Sequence, residues 1–169
     1  MKRVLLLTIG ALLISSTAFA DFFGIFSDAT GQVCNISSGF STTATILEKF
    51  SAGSTGSRFK MDLSLCPGTA FYSFNTPFVP IGVLTSDLSL AYGQCLTGDI
   101  VLGTIIAVWA PGAVSIVAAD NFATIIYTDC SFGEYAATGG HTSIDGDGHG
   151  CNEDPVRNTT WSGVKALYR

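Results

Sequence analysis

The stretch "SRFKMDLSL", residues 57–65, decides the fold class. Phe59, Met61, Leu63 and Leu65 alternate with Arg58, Lys60, Asp62 and Ser64, so one face is apolar and the other charged. A period of two is that of a strand with one side on a core and the other in water; a helix would scatter the same residues around its axis. Weaker versions of the pattern occur at "FFGIFSD" (22–28), "TTATILEKF" (42–50), "AFYSFNT" (70–76), "LSLAYGQ" (88–94), "DIVLGTIIAVW" (99–109), "AVSIVAAD" (113–120) and "ATIIYTD" (123–129). The run at 99–109 is apolar on both faces and belongs at the centre of a core.

Turn chemistry separates these segments. "SAGSTGS" offers positive-φ positions, Pro77 and Pro80 interrupt a ladder, and "APG" at 110–112 starts a turn. About eight strands at short intervals define an all-β chain, a single antiparallel β-sandwich, with an open barrel as the alternative. "NTTWSGVKALYR", at the C-terminus, departs from the pattern: a cap at Thr159 or Thr160 would start a short C-terminal helix with Trp161, Val164 and Leu167 or Tyr168 on one face.

"MKRVLLLTIGALLISSTAFA" reads as a signal peptide, with Lys2 and Arg3, an apolar run from Val4 to Ile14, and an A-x-A cleavage site ending at Ala20. The run is shorter than the roughly 20 residues that span a bilayer. The expected organisation is therefore 1–20 signal peptide and 21–169 single β-sandwich domain, secreted or periplasmic, with no membrane insertion after cleavage. Cleavage removes two of the eight basic residues and none of the thirteen acidic ones, leaving six against thirteen and a formal charge of −7. An acidic chain without basic patches excludes nucleic acid as a partner.

In a secreted chain the five cysteines read as disulfides. If 42–50 and 57–65 form a hairpin, the chain returns to its starting end and Cys34 comes beside Cys66. A bridge from Cys130 to Cys151 would close a loop of about 20 residues. Cys34, Cys66, Cys130 and Cys151 are thus the disulfide candidates, and an odd thiol must remain.

"HTSIDGDGHGCNEDP", residues 141–155, contains both histidines of the chain. From Asp145, D-G-D-G-H-G places ligands at positions 1, 3 and 5 and glycine at 6 of a calcium loop, but position 12 is Val156 where a bidentate Glu is needed. Asp145, Asp147 and His149 are the candidate metal ligands: Asp145 and Asp147 with Asp154 would bind calcium in a surface loop outside the EF-hand pattern, or His149 and His141 with an aspartate would take a transition metal. No other cofactor is expected, and consecutive Asp-Gly turns before a disulfide explain the same residues.

No nucleophile elbow, zinc-protease helix, phosphate loop or dinucleotide fingerprint occurs. A carboxylate-dependent hydrolase would have to draw on Glu48, Glu134 or Glu153 beside Asp120 or Asp129, and the spacing selects no pair. A carbohydrate-binding module would place Phe71, Tyr72, Phe74, Phe78 or Trp161 on an exposed platform. The leading expectation is a secreted non-catalytic binding or surface-structural domain, not an enzyme, with an extracellular protein or polysaccharide as its partner.

Several ordered pieces, "FGIFSDATGQVCNI" (23–36), "AGSTGSRF" (52–59), "YGQCLTG" (92–98), "ATGG" (137–140) and "TTWSGVKALYR" (159–169), resemble a group of uncharacterised secreted bacterial proteins. That resemblance implies a secreted single domain, and the overall strand pattern is similar to a cohesin-like or immunoglobulin-like sandwich. It brings no catalytic residues.

Overall fold

The computed structural model describes residues 21–39 and 41–146. The chain there is all-β, in ten strands: β1 (Phe22–Phe26), β2 (Asn35–Ile36), β3 (Thr42–Asp62), β4 (Ala70–Asn75), β5 (Val79–Val83), β6 (Asp87–Val108), β7 (Gly112–Val117), β8 (Ile125–Asp129), β9 (Glu134–Gly139) and β10 (His141–Ile144). No helix among the described residues is long and apolar enough to cross a membrane. The helix expected in "NTTWSGVKALYR" lies outside the described residues.

Two long strands organise the sandwich. β3 and β6 run antiparallel from the pair Thr42↔Ala107 to the pair Phe59↔Leu88. The first arm of β3 lies between β6 and β1, its second arm between β6 and β8, and Lys60–Asp62 pair with β7. β8 leads to β9, which closes back on β1 in a parallel pairing. β7, β10 and β2 complete the other layer, with β10 and β2 parallel. β4 and β5 lie one after the other along the remaining edge of β6.

Alternation delivers the core. Phe59 and Met61 point inward together with Ala44 and Ile46 of β3, Leu88 and Leu90 of β6, and the fully buried Trp109 just beyond β6. The strand ends at Asp62, so Leu63 is only partly buried against the core and Leu65 is exposed. β6 is central as expected of the 99–109 run, with β3 on one side and β4 and β5 on the other.

The expected hairpin between 42–50 and 57–65 does not form. β3 continues through "SAGSTG" and absorbs it as register shifts between Ile46 and Gly56 rather than as a reversal. Small residues permit this because a bulge needs local room and positive φ but no change of direction. Likewise 88–94 and 99–109 are one strand, and Pro80 lies within β5, an edge strand where a missing N–H is tolerated.

Candidate functional site

The outward face of β5, β6, β3 and β8 can be read from register, since directly paired residues in antiparallel strands point to the same side. Val79 of β5 pairs with Ala91, which pairs with Gly56, which pairs with Thr128; Ile81 pairs with Ser89, then Arg58, then Ile126. Leu88, Leu90 and Tyr92 alternate with these positions and are buried, so both rows face solvent. Small side chains at Gly56, Ser89 and Ala91 leave a trough of about 640 Å³, whose walls include Phe122, the Cys95–Cys130 disulfide, Phe132 and Glu134. Beside it, Val79, Ile81 and Val83 stand 63%, 66% and 59% exposed on a strand whose one partner among the described residues is β6.

Local chemistry holds the walls in place. Arg58 donates from Nε to Asp87 Oδ1 at 2.8 Å and from Nη2 to Oδ2, and its guanidinium lies 4.0 Å from the Phe122 ring centroid. That ion pair holds the Asp87 carboxyl below the usual carboxylate range. Asp129 accepts the backbone N–H groups of Ser131 and Gly133, each at 2.8 Å, closing a turn that puts Phe132 at φ 64° and 80% exposed. A bulky residue in the left-handed region is strained, and solvent gives this one no packing in return.

A second polar cluster is buried. Glu48 pairs with Phe23 across β1 and β3 and so points into the sandwich, 0% exposed, where alternation after Ala44 and Ile46 calls for an apolar side chain. Tyr92 donates its hydroxyl to Glu48 Oε2 at 2.6 Å and lies 2.7 Å from Ser57 Oγ. Asp21, 1% exposed, accepts the Ser51 hydroxyl at 3.4 Å. Burial, and then the Asp21 charge, push Glu48 up to about 7; burial also raises Asp21, and together with Glu48 it raises Tyr92. Asp21 Oδ1 and Glu48 Oε1 have no hydrogen-bond donor among the described residues.

The residues singled out in the sequence separate into different places. Asp145 carries its carboxylate against Ser38, accepting the backbone N–H at 2.8 Å and the hydroxyl, so it ties the end of β10 to the segment after β2. Asp147, His149, Cys151, Glu153, Asp154 and Trp161 lie outside the described residues, as does the side chain of Tyr72. His141 opens β10. No group of three or more His, Cys, Asp or Glu side chains fit to hold a metal occurs among the described residues.

The cysteine pairings differ from those expected. Cys130 bridges to Cys95, so it is not bonded to Cys151, and Cys66 is a buried free thiol rather than the partner of Cys34. Cys34 is disulfide-bonded. The pairing of Cys34 with Cys66 relied on a hairpin that the continuous β3 replaces. Burial raises the Cys66 thiol, which keeps it protonated and inert.

Phe71, Phe74 and Phe78 pack against the core and form no platform. Of the carboxylates weighed for hydrolysis, Asp120 is bound to Lys60 at 2.7 Å, Asp129 holds its turn, and Glu48 is enclosed. Glu134 is the one carboxylate lining the trough among the described residues. Asp21 was missed in the sequence because it follows the expected cleavage point and precedes the first strand.

No family model and no curated protein matches the chain. Among solved structures it is similar to a cohesin module from the family 33 glycoside hydrolase of Clostridium perfringens ATCC13124, with TM-score 0.47 and 7% identity over 74% of this chain and 95% of that one. A chain of the CaDoc0917–CaCohA2 complex gives TM-score 0.47 and 10% identity over 73% of this chain and 99% of that one.

Proposed function

We propose that the chain is a secreted, non-catalytic binding domain that engages an extracellular protein through its outward face, with an extended segment of the partner laid along β5. The observation that carries this reading is the exposure of Val79, Ile81 and Val83 at alternate positions of a strand with one edge unpaired among the described residues. Main-chain hydrogen bonds at such an edge supply affinity, and alternate side chains supply choice of partner. Pro80 has no N–H to give, which restrains edge-to-edge self-association while leaving carbonyls open to a guest strand. The strained, exposed Phe132 at the trough rim fits the same role, because strain of this kind persists where function uses it. The N-terminal segment and the disulfide between Cys95 and Cys130 support export to an oxidising compartment.

The test is an NMR titration of the protein with extended peptides and, separately, with soluble polysaccharides. Peptide binding should shift the β5 and β6 amides, and Ile81→Asp should abolish those shifts while leaving the thermal midpoint within a few degrees, since surface substitutions cost little. Binding of polysaccharide alone, with no β5 or β6 shifts from any peptide, would overturn this reading in favour of carbohydrate binding. An intact Met1 in the mass of exported protein would sink the secretory reading.

A further inference from the structure

Asp21 and Glu48 place two acids inside the sandwich, with one oxygen each lacking a donor among the described residues. The position is fixed by β-structure: Thr138 donates its N–H to the Asp21 carbonyl at 3.0 Å, and Phe22 pairs with Lys49. Among the described residues no cation serves the cluster, because each Lys and Arg there is engaged elsewhere. Lys49 donates to the Gly31 carbonyl at 2.9 Å, Arg58 holds Asp87, and Lys60 holds Asp120. Two buried carboxyls facing each other are costly unless they share a proton or meet a positive charge.

We infer that Asp21 and Glu48 form a receptor for the chain's own processed N-terminus, the α-ammonium of Asp21 being the missing cation. The inference rests on residues 1–20 being a cleaved signal peptide. Hydrolysis of the Ala20–Asp21 bond by an export protease consumes one water and leaves a carboxylate on Ala20 and an amine on Asp21. With an ordinary α-amino pKa near 8, that amine takes up a proton at neutral pH. It lies three bonds from the carboxyl carbon of its own side chain and carries three N–H donors, while Asp21 Oδ1 and Glu48 Oε1 have none among the described residues. The uncleaved peptide N–H is neutral and offers a single donor. Cleavage thus completes the interior of the sandwich, and the exported form is more stable than its precursor.

The experiment compares the chain 21–169 bearing a free Asp21 amine with the same chain N-acetylated, which changes no side chain. At pH 7 the free-amine form should melt at least about 5 °C higher. Its Glu48 carboxyl, followed by carbon-13 shift, should titrate in the ordinary carboxylate range, and that of the acetylated form near 7. In Glu48→Gln the gap between the two forms should nearly close. Equal midpoints with identical Glu48 titration overturn the inference, as does a gap that persists undiminished in Glu48→Gln, which would put the amine elsewhere. The intact mass of exported protein reads the cleavage point independently. A start other than Asp21 overturns the signal-peptide reading, and with it the inference, whatever the purified pair shows.

Discussion

Glu48 shows how one residue can tie stability to pH. Its carboxyl is raised from 4.5 to about 7, chiefly by burial and then by Asp21, while Tyr92 and Tyr127 face the same cluster and are raised with it. A carboxyl raised on folding binds its proton more tightly in the folded state. In a chain whose N-terminus is blocked or extended, the Glu48 contribution is therefore fully present below pH 4.5 and is lost as pH rises toward 7. Urea titrations at pH 4.5, 6 and 8 should show this decline, and Glu48→Gln should flatten it. Asp145 behaves in the opposite sense, since its bonds to Ser38 lower its carboxyl, but it is exposed and screened.

Among the elements, the long strands β3 and β6 depend on side chains that are absent. Ser54 of β3 lies between Leu96 of β6 and Asp129 of β8, and the Cys95–Cys130 bridge crosses over β3 there. A Cβ on Gly53 would strike Cys130 Sγ, so the small "SAGSTG" segment is what lets the strand pass beneath the bridge. On the other arm, Gly103 lies against the Phe74 ring and the Asn75 carbonyl of β4. Gly103→Val should push β4 off β6 and cost about 1–3 kcal/mol, as overpacking does, measured as a lowered urea midpoint with unchanged slope. In β5, Gly82 lies as tightly against the Asp87 carbonyl of β6, whereas substitutions at the outward Val79, Ile81 and Val83 should leave the fold intact.

For the molecule as a whole, the Cys95–Cys130 bridge joins strands on either side of β3 across a separation of 35 residues. Closing a loop of that length removes chain entropy worth about 4 kcal/mol in the unfolded state. The double variant Cys95→Ala/Cys130→Ala should lose up to that amount in guanidinium unfolding. What the sequence by itself determined is what depends on near neighbours: the strand period of Phe59 and Met61, the central place of 99–109, the acidic charge and the all-β class, because alternation is a property of consecutive residues. The tertiary structure decided whatever joins distant ones. The run "SAGSTG" reads as a turn until β6 and β8 hold it straight, and cysteine spacing is silent on pairing until those strands bring Cys95 to Cys130. Asp21 and Glu48 are 27 positions apart and ordinary in sequence; only the pairing of β1 with β3 buries them together, where loss of water makes their charges matter.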